Sequence, residues 1–219
     1  MDRRMNRRRL IGLGLAALPL GLTLGANGAL PALALDRPLT LEEEGLLRAI
    51  SIHNSRIHTM VGKFLQIDTQ GGRTEGMFYL ERPDKISFRY APPSREEIVS
   101  VGRGFYVLDR REQTKYAYPQ DKVPLRQFLT DKIDLLNANI SDVLLTDTFI
   151  AVTLVDESPM GTVEVSLIFE IDTLELWQWT LTEPSGAELT FSIYDVQQDV
   201  EIPPAYFSIP ANYKAPSNS

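Results

Sequence analysis

The chain contains no cysteine. That excludes disulfides, thiol nucleophiles and thiolate metal ligands. Histidine is nearly absent. The two present, His53 and His58, are five residues apart at the end of a predicted helix. That spacing does not place both on one helical face, so they read as surface or boundary residues and not as a metal or triad pair. Glycines never form a phosphate-binding loop between a strand and a helix. Carboxylates are plentiful but fall in turns and on polar strand faces; a hidden pair, as in a glycosidase, stays open at this level. No catalytic residue, metal or cofactor is expected. No long hydrophobic run occurs after residue 34, so no later segment is expected to cross a bilayer.

What is present begins with an export signal. Arg3, Arg4, Arg7, Arg8 and Arg9 precede an apolar stretch from Leu10 to Leu24. Ala32-Leu33-Ala34 offers a small-x-small cleavage site, and Ala26 to Ala29 a second one. The expectation is a signal peptide over residues 1–34 and one domain over 35–219. Arg7-Arg8-Arg9-Leu10-Ile11 resembles a twin-arginine signal, and an ordinary secretory signal fits as well. As a membrane anchor the stretch is too short, being broken by Pro19. Removing it takes away five Arg and one Asp, and the formal net charge moves from −7 to −11. Such acidity argues against nucleic acid and against anionic membrane surfaces. With no cysteine to acylate, the exported protein is not itself lipid-anchored.

The mature part opens on a helix. Thr40 followed by Glu43 is a capping-box pattern, with Glu42, Glu43 and Glu44 in the first turn. Leu46, Leu47, Ile50, Asn54 and Ile57 share one face, and the helix should end between Ser55 and Thr59. From Met60 the apolar period becomes two. Lys63–Ile67 leads through the loop Asp68–Gly72 to Gly76–Leu80; Arg82-Pro83-Asp84 turns the chain, and Ile86, Phe88 and Tyr90 alternate with polar residues. Short strands continue to Tyr118. The segment from Pro119 to Asn139 breaks the pattern, with a short helix expected after Pro124 and a helical turn over Lys132 to Leu136. Strands then resume through Val163–Phe169 and Leu189–Ile193, and the polar tail after Ile209 is expected to fray.

This pattern predicts about 10–11 antiparallel strands with a helical insert. The fold class is mainly β: an incomplete, half-open antiparallel β-barrel covered by short α-helices. So much apolar surface fits either a packed core or a cavity under a helical lid.

The order and spacing of several motifs go further. Gly62-Lys63-Phe64-Leu65-Gln66, then Gly76-Met77-Phe78-Tyr79-Leu80, then Arg82-Pro83 with Ile86, Phe88 and Tyr90 following, then Ile98–Gly102, resemble LolA, the family of periplasmic outer-membrane lipoprotein carriers. Phe191 after Glu183-Pro184-Ser185-Gly186, and Phe207 before Pro210, also fit. The resemblance implies a monomeric periplasmic chaperone that holds the acyl chains of lipoproteins, receives them from an inner-membrane LolCDE-type transporter and delivers them to a LolB-type receptor. It implies no enzyme. The receptor shares the fold but is itself a lipoprotein, so the missing cysteine favours the carrier. The resemblance and strand parity together place the lipid cavity at Phe78, Leu80, Ile86, Phe88 and Tyr90, faced by Leu125 and Phe128 from the lid. By matching position, the arginine that latches the lid is Arg82. Val101 departs from the Asp usual before Gly102, and Arg126 and Gln127 stand where the family is more apolar. A shifted lid or a different acylated cargo would follow. A lipid- or lipoprotein-sensing module of the same fold is the alternative; such modules are expected in longer chains.

Overall fold

A computed structural model describes residues 35–124, 126–158 and 161–216. The expected signal peptide, residues 1–34, and the expected lid residue Leu125 lie outside the described residues.

The helix α1, Leu41–Arg56, starts where its capping box puts it. The Glu43 amide donates to Thr40 Oγ1 at 3.2 Å, and the Thr40 amide donates to Glu43 Oε2 at 2.8 Å. Arg37 then clamps the same carboxylate with two bonds of 2.8 and 2.7 Å. That clamp, and secondly the Thr40 bonds, hold the Glu43 carboxyl at about 2, against the opposing pull of burial.

Eleven strands follow: β1 Thr59–Asp68, β2 Arg73–Glu81, β3 Lys85–Tyr90, β4 Glu96–Val101, β5 Gly104–Asp109, β6 Thr114–Pro119, β7 Ile140–Leu145, β8 Phe149–Ser158, β9 Gly161–Glu170, β10 Leu176–Thr182 and β11 Glu188–Gln198. They form one antiparallel sheet in the order β6-β5-β4-β3-β2-β1-β11-β10-β9-β8-β7. The first and last strands pair in the middle, so the chain's two meanders grow outward in opposite directions. The two sheet edges, β6 and β7, are therefore consecutive in sequence. Laid flat they would stand about 48 Å apart. The insert that joins them holds three short 3-10 turns, Gln120–Lys122, Arg126–Leu129 and Leu135–Asn137, which advance only about 2 Å per residue. The sheet curls, and the insert crosses its open side.

Two apolar clusters fill the curl. One lies under α1 and the insert: Leu47 and Ile50 of α1 with Ile133, Leu135 and the inner residues of β7–β9. The other is aromatic, built from β1–β5 and β11 around Phe64, Phe78, Phe88, Tyr90 and Phe191. Trp179 and Leu181 of β10 pack against both.

The tail does not fray as far as the sequence suggests. Residues 199–214 cross the outer face of β2–β4, burying Ile202 and Phe207. Tyr206 stacks on Tyr79 at 4.0 Å, with the Arg89 guanidinium 4.4 Å from its ring. Lys214 then pairs with Thr114 at the β6 edge, where its carbonyl accepts from the Lys115 amide at 2.8 Å.

Candidate lipid-binding site and its latch

The inner wall is laid out as rows of rings and glycines. Register sets Tyr90 opposite Gly76, and Gly76 opposite Phe64; one row further, Phe88 faces Phe78, and Phe78 faces Gly62. A Cβ on Gly76 would lie 2.6 Å from the Phe64 ring and 2.2 Å from the Arg89 carbonyl oxygen. A Cβ on Gly62 would lie 2.6 Å from the Phe78 ring. Each glycine is thus the bed of the ring beside it. The rings meet edge to face: Phe64 lies 5.3 Å from Phe88 and 5.0 Å from Tyr90. Trp179 stacks on Phe191 at 4.9 Å. Such pairs add about 0.5–1.5 kcal/mol each beyond area burial.

The residues expected to line the cavity from β2 and β3 come together as direct partners, Phe78 with Phe88 and Leu80 with Ile86. Phe78, Leu80, Phe88 and Tyr90 are buried, and Ile86 is half-buried against the aromatic cluster. Phe128 goes elsewhere: its ring lies 6.4 Å from Phe169 in the helix-side cluster. From the insert, Val123 packs on the aromatic side. The wall also includes Phe64, Phe191 and Trp179, which the sequence does not single out as cavity residues. The first two lie within the motifs already quoted. Trp179 escapes strand parity because the β9–β10 register shifts between Leu176 and Gln178, turning Leu176 and Trp179 both inward and leaving Trp177 exposed.

One polar pair sits on this wall. The Tyr90 hydroxyl donates to Gln66 Oε1. Burial raises the Tyr90 hydroxyl's pKa far above that of a free phenol, so it remains a neutral donor. Glu96 and Asp109 are cross-strand partners at the rim, and burial raises the Glu96 carboxyl. The Asp109 oxygen Oδ1 accepts from the amides of Arg111 and Glu112 and so serves its own turn. Among the described residues no group of three or more His, Cys, Asp and Glu side chains is placed to hold a metal.

Arg82 ties three elements together. Its Nε donates to the Phe128 carbonyl in the insert at 2.8 Å. Its Nη1 donates to the Asn54 carbonyl at 3.1 Å and to the Ile57 carbonyl, at the C-terminal end of α1. Burial lowers the guanidinium to about 10, against a smaller upward pull from Asp131, so it stays charged at neutral pH. The turn it begins is held too: the Asp84 amide donates to the Leu129 carbonyl at 2.7 Å, and Gln120 Nε2 donates to the Asp84 carbonyl at 2.9 Å.

A family model described as outer membrane lipoprotein carrier protein LolA matches residues 55–210. The chain belongs to the LolA family. None of the curated proteins matches it. Among solved structures, an uncharacterized conserved protein from Thermus thermophilus has a TM-score of 0.48 at 8% identity, covering 80% of this chain and 98% of that one. A LolA superfamily protein from Nitrosomonas europaea has 0.40 at 7% identity, over 74% and 97%. MucB in its complex with MucA from Pseudomonas aeruginosa has 0.45 at 12% identity, over 76% and 60%. The LolA match begins at Ser55, one residue before the end of α1, and spans all eleven strands and the insert. Both Arg82 and the aromatic wall fall within it. The LolA-like fold suggests a module that binds lipid or lipoprotein. No helix among the described residues is long and apolar enough to cross a membrane.

Proposed function

We propose that the protein is a periplasmic carrier, exported by way of residues 1–34, that shelters the acyl chains of lipoproteins on their way to the outer membrane. The chains enter between the rings of Phe78, Phe88 and Tyr90, beside Leu80 and Ile86, and the insert bearing Leu125 and Phe128 closes over them. An inner-membrane LolCDE-type transporter loads the carrier and a LolB-type receptor unloads it. The carrier acts as a monomer and catalyses no reaction.

The observation that carries this reading is the Arg82 clasp. Three backbone carbonyls from α1 and the insert converge on one side chain of the β2–β3 turn. A bond to a charged donor is worth about 1.5–3 kcal/mol, strong enough to close a lid and weak enough to reopen it. In the closed form the rings of the wall fill their own space, so cargo must bind an opened state better than the closed one.

The test uses the Trp177→Phe protein, in which Trp179, stacked on the wall, is the sole indole. A lipopeptide with brominated acyl chains should quench its fluorescence saturably; a linear, non-saturating loss would overturn the carrier reading. Arg82→Leu protein should load as well as the parent but deliver cargo to a membrane-anchored receptor more slowly. Saturable binding with no delivery by the parent protein would indicate a lipid-sensing module instead.

A further inference from the structure

A pocket of about 210 Å³ lies between the middle and far end of the insert and strands β8 and β9, apart from the aromatic wall. Leu154 and Val165 line it, and both are buried members of the helix-side cluster, so the pocket opens onto apolar core. Ala138 and Val155 add further apolar lining, and the other residues are polar. Arg126 and Gln127 come from the 3-10 turn of the insert, Asn137 and Asn139 from the insert's far end, and Asp156 from β8. Its volume is below the roughly 300 Å³ at which pockets for drug-sized ligands begin, so it suits a small polar group and not a long chain.

Its charge is cancelled from within. Arg126 Nη1 donates to Asp156 Oδ2 at 2.6 Å. An incoming carboxylate or phosphate would meet the Asp156 charge together with that of Arg126. Uncharged carbonyl oxygens meet no such penalty and find spare donors. The side-chain amide of Gln127 has no hydrogen-bond partner among the described residues. The guanidinium of Arg126 bonds through one nitrogen and keeps others free. Asn139 Nδ2 reaches the Val155 carbonyl only at 3.4 Å.

We propose that this pocket is a head-group subsite that takes the uncharged ester and amide groups of an acylated polypeptide, and so sets the carrier's preference for that cargo over free fatty acids. The inference rests on the carrier reading above. Leu154 and Val165 belong to the helix-side cluster, which meets the aromatic wall through Trp179 and Leu181, so a head group held here leaves its attached chains a route along β10 to the rings.

The test compares a diacylglyceryl-cysteinyl peptide with palmitate, both read by Trp179 quenching in the mature Trp177→Phe chain. The parent should favour the lipopeptide. Gln127→Ala removes one donor, and the ratio of lipopeptide to palmitate affinity should fall about ten-fold. Asp156→Asn unmasks the Arg126 charge, and the ratio should fall further because palmitate binding strengthens. Ratios unchanged in both variants would overturn the subsite while leaving the carrier intact. Equal weakening of both ligands would overturn it too, since a subsite for the head group must discriminate. A parent protein that binds neither ligand would overturn the carrier reading, and the subsite with it.

Discussion

At the scale of single residues, the side chains that matter most are those that hold backbone atoms in place. Lysine at position 82 would keep a charge but lose the planar fork that lets one side chain serve carbonyls of both α1 and the insert. Arg82→Lys should lower the free energy of unfolding by about 1.5–3 kcal/mol, read by urea denaturation. Gly76→Ala should do at least comparable damage, about 1–3 kcal/mol of overpacking, because the new methyl group meets the Arg89 carbonyl as well as a ring. Glu43 gives a pH signature. Its carboxyl is held at about 2, below an ordinary value of 4.5. It therefore stabilises the folded state fully above pH 4.5, and that contribution is lost as pH falls toward 2. Glu43→Gln should flatten the acid limb of a stability–pH curve in that window; an unchanged limb would mean the clamp contributes nothing.

At the scale of elements, α1 and the insert behave as one unit. Ser51 Oγ accepts from the Leu135 amide at 3.1 Å and donates to the Leu47 carbonyl at 2.7 Å. Ser55 Oγ accepts from the Ile133 amide at 2.8 Å and donates to the Ser51 carbonyl at 2.6 Å. These hydroxyls join helix and insert directly, while the side-chain ties to the strands and their turns are Arg82, Arg126 with Asp156, Gln120 to the Asp84 carbonyl and the Ser100 hydroxyl, Asn139 to the Val155 carbonyl, and Asn54 to the Leu174 carbonyl. Replacing Ser51 and Ser55 with alanine strands two amide donors, one of them in a fully buried bond, at about 1–3 kcal/mol each. Amide exchange in residues 126–137 should then quicken while β8 and β9 stay protected. Equal quickening in the strands would mean the helix and insert do not open as a unit.

For the whole molecule, the topology itself fixes where the insert runs. Because β6 and β7 are the two edges of one sheet, the segment between them has to span the open side whatever its sequence. Burial of the apolar walls at about 25 cal/mol per Å² favours the closed form without cargo. Loading should therefore loosen α1 and residues 120–139 in hydrogen exchange and leave β1–β3 and β8–β11 protected. Uniform protection with and without lipopeptide would mean that nothing opens.

Local structure could be read from the order of the residues. Thr40 and Glu43 fix the start of α1, period-two alternation marks the strands, and Pro119 and Pro124 break them, because each of these signals acts over a few residues. Composition also determined the chemistry that is missing, since a chain without cysteine has no thiol to use. The rest depends on register and on long-range contacts. Strand parity put Phe78 and Phe88 on inward faces, but only pairing through Gly62 and Gly76 made them one wall with Phe64. A register shift in β10 turned Trp179 inward against the parity of its neighbours. Phe128 packed on Phe169 and not on the aromatic wall because the insert crosses β9 there, a path set by which strands form the edges. The tail beyond Ile209 looked free because its polar residues carry no periodic signal, yet the β6 edge offered the Lys214 backbone a partner. Hydrogen bonds between backbone groups a hundred residues apart leave no mark on the sequence at either end, since every residue but proline carries the same donor and acceptor.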